Sequence, residues 1–202
     1  MFEGSDVEAQ EFENLLRSVN RKGVEEVLLQ LKKIGFFEAP ASTVFHLNRK
    51  GGLVSHSLSV YSVACKLREA MLVLKPELET SLPMDSLIVT TLLHDVCKAE
   101  IYKIEKKWRK DDNNKWESFD AYGVDYSNFP LGHGEKSVIR LLQWGLQLTD
   151  DEIIAIRWHM HAWDLPFQSP EAKSNFNEAG KKSPLLSILQ SSDGLSTKLL
   201  EE

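Results

Sequence analysis

Six side chains of metal-binding type stand at separated points of this sequence: His56, the adjacent pair His94 and Asp95, His133, His159 and Asp193. Imidazole and carboxylate are the groups that hold borderline and hard divalent cations. Most of the six fall in segments that read as helix or helix start, flanked by apolar residues. Burying so many polar groups without partners costs free energy, so a shared cation is the reading that satisfies them together. The chemistry such a centre suggests is hydrolytic. A divalent ion lowers the pKa of bound water from about 16 to near 7, and a metal-bound hydroxide then needs no protein nucleophile. That agrees with the absence of any evident Ser-His-Asp set. Lys98 lies four residues after His94 and three after Asp95, on the same helix face, where a cation can hold a phosphate oxygen.

Each residue alone carries a plainer reading. His56 by itself reads as a satisfied core histidine, Asp193 as a helix-end carboxylate, and His94-Asp95 as the polar end of a buried helix. His133 sits in Leu131-Gly132-His133-Gly134-Glu135, where two glycines permit a tight turn. His159 and His161 are two apart, about 200° around a helix, so one centre cannot take both unless the helix ends between them. Ala155 and Ile156 place His159 inward and leave His161 for the mouth of a site. His46 has no motif around it and reads as structural or surface.

The elements that must position these residues follow from periodicity. Residues 7–18 and 22–34 read as short amphipathic helices, the second through Val24, Val27, Leu28 and Leu31. A loop with Pro40 and Gly51-Gly52 leads to a long helix. Its apolar stripe runs Val54, Leu58, Tyr61, Ala64, Leu67, Met71 and Leu74. A second stripe, through Leu53, Val60 and Val63, carries His56. A buried helix is expected over residues 86–98, with Asp85 as its N-cap. Residues 100–126 alternate in character around Asp111-Asp112-Asn113-Asn114 and predict an inserted β-hairpin. Helical pattern returns over residues 135–146. Thr149 and Glu152 form a capping box that opens a helix through Arg157 and His159. Residues 164–182 are polar and interrupted by prolines, which predicts a surface loop. Pro184 suits the first turn of a last helix carrying Asp193. The fold class is mainly α.

Bulk properties narrow the setting. The 202 residues fit one domain with a sizeable core. A formal net charge of −6 argues against a protein that coats nucleic acid, so any such contact must be local. The two cysteines, Cys65 and Cys97, form no CxxC and point to a reducing, cytoplasmic setting. The acidic N-terminus does not read as a signal peptide, and charges interrupt the longest apolar stretch, so no membrane span is expected.

Taken in order, these residues resemble a known family. A histidine on a helix after a glycine pair, then His94-Asp95-x-x-Lys98, two further histidines and a late Asp193 are similar to the HD-domain metal-dependent phosphohydrolase superfamily. The resemblance spans about residues 51–196. It implies an HD-type helical bundle over residues 51–202 with a hairpin inserted near 100–126, preceded by an N-terminal helical extension over 1–50. It further implies that His56, His94, Asp95 and Asp193 bind a first divalent ion. Asp95 would bridge to a second ion held by His133 and His159, as in the two-metal subset. Lys98 matches the family lysine that touches the scissile phosphate. Departures are visible: His159-Met160-His161-Ala162-Trp163-Asp164 stands where cyclic-dinucleotide hydrolases carry a glycine-tyrosine-proline signature, and Cys97 stands where many members carry a small residue.

The implied activity is hydrolysis of a phosphoester, mono or di, in a small molecule, a nucleotide or a short single-stranded nucleic acid. Manganese, magnesium or iron suits the carboxylates; cobalt, nickel or zinc suits the imidazoles. Further substrate contacts are expected from Arg140, His161 and Trp108, the last on a hairpin that interleaves aromatics with Lys and Arg. Two other readings use the same ligands: a di-iron oxygenase of the same superfamily, and a silent binding module whose metal only fastens the helices.

Overall fold

The computed structural model describes residues 3–161 and 169–201, with side chains from residue 6 onward. Its order is α1 (Glu3–Ser18), α2 (Val24–Lys33), α3 (Gly52–Leu74), a 3-10 helix (Pro76–Ser81), α4 (Met84–Leu93) and the single turn α5 (Lys98–Ile101). Then come β1 (Tyr102–Lys110), β2 (Trp116–Val124), α6 (His133–Gln143), α7 (Asp150–Trp158), α8 (Pro170–Lys182), α9 (Pro184–Leu195) and a π turn (Ser196–Leu200). The chain is mostly helical, with one small antiparallel sheet. No described helix is long and apolar enough to cross a membrane.

Helix α3 is the axis. It packs against α4 on one side and α9 on the other, while α7 touches α4, α6 and α9. Two apolar clusters hold the bundle. In one, Phe12, Leu16 and Leu31 of the first two helices meet Leu53, Leu92 and Val96, so a single core runs across residue 50. In the other, Val60 and Ala64 of α3 meet Ala155, Leu185 and Leu189. Of the first forecast stripe of α3, Val54 and Ala64 are buried, Leu58, Tyr61, Leu67 and Met71 are half-buried and Leu74 is exposed; the second stripe supplies the buried Leu53, His56 and Val60.

Three expectations need correction. The helix forecast over 86–98 ends at Leu93, and i→i+3 turns carry the chain to α5. In a continuing helix the Thr91 carbonyl would accept the Asp95 N–H; here it accepts the His94 Nδ1–H at 2.8 Å. The N-cap is Pro83, with no side-chain cap, and Asp85 lies inside the first turn. The stretch forecast as a loop over 164–182 contains helix α8, capped by Ser169 and opened by Pro170. Proline in a first turn starts a helix as readily as it ends one. Residues 164–168 lie outside the described residues.

The hairpin pairs Tyr102 with Val124 through Lys110 with Trp116. Asp111 closes it, its Oδ1 accepting the N–H groups of Asn113 and Lys115. The capping box at Thr149 and Glu152 is formed as its sequence predicts.

Candidate metal centre

Helix ends, more than helix faces, position the histidines. His94 caps α4, His159 caps α7, and His133 opens α6. The last carbonyls of a helix lack N–H partners. Two of the histidines use them: His94 Nδ1 donates to Thr91 O at 2.8 Å and His159 Nδ1 to Ile156 O at 2.7 Å. That places the proton on Nδ1 and leaves the Nε2 lone pair facing inward. His56, buried in α3, is fixed differently. Its Nδ1 lies 2.9 Å from Glu201 Oε2 and 3.0 Å from Oε1. Again Nε2 faces the centre.

These lone pairs converge with two acids. His56 Nε2 lies 3.3 Å from His94 Nε2, and 3.5 Å from both Asp95 Oδ2 and Asp193 Oδ1. His94 Nε2 is 3.4 Å from the same Asp95 Oδ2. The other Asp95 oxygen, Oδ1, meets His133 Nε2 and lies 3.4 Å from His159 Nε2. Asp95 therefore divides its two oxygens between two pairs of imidazoles. Lys98 Nζ reaches Oδ2 at 2.6 Å. The structure brings His56, His94, Asp95, His133, His159, Asp193 and Lys98 to one place.

The donor set fits a divalent cation on its own terms. Nitrogen and carboxylate lone pairs crowd together with few protons among them, and His159 Nε2 is buried without a hydrogen-bond partner. Four groups of three ligand atoms, each within 4.8 Å of one another, occur here; one of them is His94, His159 and Asp193. Electrostatics shows the same strain. Burial would raise the Asp95 carboxyl, yet Lys98, His94 and His133 hold it well below the usual range. Burial disfavours charge on His56, but hydrogen bonds to Asp95 and Glu201 outweigh it and raise the imidazole to about 9. Burial also opposes the charge on Lys98, and Asp95 more than restores it.

Gly134 explains how α6 and α7 come close enough. A Cβ there would lie 2.3 Å from Arg157 O and 2.6 Å from Ile156 O. The tight turn forecast for the flanking glycines is not the reason: Gly132 has φ −56°, open to any residue.

The remaining candidates have surroundings of their own. Arg140 is held by both Glu100 oxygens, at 2.7 and 2.8 Å. Trp108 projects from the hairpin, 66% exposed, opposite Ser118. Four hairpin cations already have carboxylates: Lys103 with Asp125, Lys106 with Asp120, Lys107 with Glu105 and Arg109 with Glu117. His161 is exposed with φ 53°, just past the end of α7.

The sequence assigns no place in the site to Glu201, Cys97 or His46. Glu201 had no motif to mark it. Cys97 Sγ lies 3.2 Å from His133 Nδ1, its thiol pushed up to about 12 by burial and by Asp95. The His46 ring stands 5.4 Å from that of His56. It is brought there because the 41–47 loop folds onto the start of α3, where a Cβ on Gly52 would lie 2.0 Å from Leu47 O.

A cavity of about 440 Å³ opens beside the cluster, lined by His46, Lys98, Tyr102, Tyr126, His133 and Lys136 among others. That is the size of a small-molecule site.

No family model and no solved structure matches the chain. Over 89 residues, 44% of its length, it is 33% identical to the dihydroneopterin 2′,3′-cyclic phosphate phosphodiesterase of Methanocaldococcus jannaschii. The chain spans about a third of that relative's length, 32%. Over this part of its length, the chain is similar to a phosphodiesterase.

Proposed function

We propose that this chain is an HD-type, metal-dependent phosphohydrolase that cleaves a phosphoester of a nucleotide or nucleic acid. The observation that carries the reading is the division of Asp95 between His56 and His94 on one oxygen and His133 and His159 on the other. The partial likeness to an enzyme named for cleaving a cyclic phosphate supports phosphoester chemistry.

In this reading His56, His94, Asp95 and Asp193 would hold one ion, and Asp95, His133 and His159 a second. Bound ions supply an activated water and positive charge for the phosphoryl oxygens. Glu201, Thr91 O and Ile156 O keep three imidazoles in the ligating tautomer. Lys98 stays protonated beside Asp95 and faces the cavity, where it would neutralise charge growing on phosphorus-bound oxygens. The cavity would receive the ester's organic part. Residues 51–202 would form the hydrolase unit, with the first helices bracing α3 and α4.

The test is a panel of bis-p-nitrophenyl phosphate, nucleoside 2′,3′-cyclic phosphates, nucleotides and short RNAs, with manganese, cobalt or nickel added. Turnover should vanish in His94→Ala and Asp95→Ala while the helical signal persists. Wild-type turnover by Asp95→Ala would defeat the proposal. Iron uptake with oxygen consumption in place of phosphate release would favour the oxygenase reading.

A further inference from the structure

The cavity beside the centre contains a cation that hydrolysis at the centre leaves without a task. Lys136 is 2% exposed, yet its side chain lines this cavity. Among the described residues no carboxylate forms an ion pair with it. Its Nζ sits 5.8 Å from the Phe129 ring centroid, near the outer limit of a cation–π contact. Lys98, the other lining amine, is already engaged by Asp95 at 2.6 Å. No described residue lining the cavity is acidic, although the chain as a whole carries −6. A buried charge without a counter-ion is unfavourable, and burying this one repays its cost only if an anion completes it.

Placement says which anion. Lys136 follows His133 by three residues on α6, so the two side chains share a helix face. One turn of helix separates the candidate metal ligand from the cation, along the cavity wall.

We infer that Lys136 binds a second anionic group of the substrate, so that the substrate class is a phosphoester bearing another phosphate next to the scissile one. A dinucleotide or short oligonucleotide, or a nucleotide with two separate phosphates, has this form. An ester of a neutral alcohol does not. This rests on the hydrolase reading for the word substrate, and on the cavity alone for the anion subsite.

The kinetic test uses the metal-loaded chain and a thymidine dinucleotide with no terminal phosphate, a 5′-phosphate or a 3′-phosphate. Wild type should favour one phosphorylated form by about tenfold in KM, the size of one charge-assisted contact. Lys136→Met should lose that preference, its KM for the favoured form rising to that of the unphosphorylated dinucleotide while kcat changes less than KM. Lys136→Arg should keep the preference. If Lys136→Met fails to fold, Lys136→Gln takes its place. A second measurement needs no turnover: inorganic pyrophosphate titrated calorimetrically into the metal-free chain in EDTA. It should bind wild type and Lys136→Arg, and bind Lys136→Met about tenfold more weakly. No turnover with Lys136-dependent pyrophosphate binding would overturn the hydrolase reading and leave the subsite standing. Turnover whose phosphate preference is absent, or survives Lys136→Met, would overturn the subsite; so would pyrophosphate binding that is absent or indifferent to Lys136.

Discussion

The Glu201 carboxylate reaches His56 Nδ1 at 2.9 Å across 145 positions of sequence. Both residues are buried, and the contact fixes which nitrogen of His56 carries the proton. Carboxylates in this position orient a ligating imidazole and raise its basicity. Glu201→Gln keeps the shape and removes the charge. It should weaken metal affinity by about 10–100-fold without removing a ligand. Competition against a chelator of known affinity measures this. Unchanged affinity would mean that Glu201 only packs against His56.

Gly134 lets α6 touch the backbone of α7. Gly134→Ala would press its methyl onto Arg157 O, 2.3 Å from the ideal Cβ, and onto Ile156 O, the acceptor of the His159 Nδ1–H. Both contacts are backbone, so one helix must move. The expected cost is about 1–3 kcal/mol by chemical denaturation. His133 and His159 should separate while His56 and His94 stay together. In the proposed two-ion arrangement, metal content should then fall by about one ion per chain, because only one ligand pair is disturbed. Full metal content in a destabilised variant would place the second ion elsewhere.

How much of this was legible beforehand depended on whether a residue's role is local. The capping box at Thr149 is written in neighbouring residues, and the sequence displays it; the stripes of α3 mark the burial of Val54, Val60 and Ala64 but overreach at Leu74, which is exposed. The end of α4 at Leu93 was hidden, because it depends on a side chain, His94, taking a backbone acceptor. Helix α8 was hidden because Pro170 marks starts and breaks alike. In the candidate centre, residue types revealed His94, Asp95 and Lys98 together. Glu201 and Lys136 were not legible. Their meaning lies in what faces them: an imidazole far along the chain for one, and no carboxylate among the described residues for the other.

Glu13 ties α1 to α2. Its carboxylate meets Lys32 at 2.7 Å and Arg17 at 3.0 Å. Partial burial would raise its pKa, but those two cations prevail and lower it from the ordinary 4.5. A carboxyl with a depressed folded pKa adds stability above its unfolded pKa, and loses it as pH falls through the folded one. The contribution should therefore be full at pH 6 and shrink below about pH 4.5. Glu13→Gln should cost about 0.5–1 kcal/mol near neutrality, as for exposed pairs, and nothing at the acid end. Denaturant melts of both proteins from pH 3 to 7 test the sign. A difference that grows on acidification would contradict it.

Glu152 holds together the elements that carry the candidate ligands. It is fully buried at the start of α7. One oxygen accepts Ser86 Oγ of α4 at 2.6 Å; the other accepts Arg21 Nη1 at 2.6 Å and the Thr149 N–H at 2.8 Å. His94 caps the far end of α4 and His159 that of α7, so this carboxylate ties the two helices at their opposite, starting ends. Glu152→Ala would strand a largely buried guanidinium and a buried hydroxyl. The expected loss is about 3–5 kcal/mol, the range for breaking a buried pair by deleting one partner. Glu152→Gln keeps an acceptor for Ser86 or Thr149 and loses only the charge toward Arg21, so its loss should be smaller. Arg21→Met should recover part of the Glu152→Gln loss, since the stranded charge is then gone. Equilibrium unfolding of the three variants decides the matter. A Glu152→Ala protein within about 1 kcal/mol of wild type would show that apolar packing alone sets the spacing of α4 and α7.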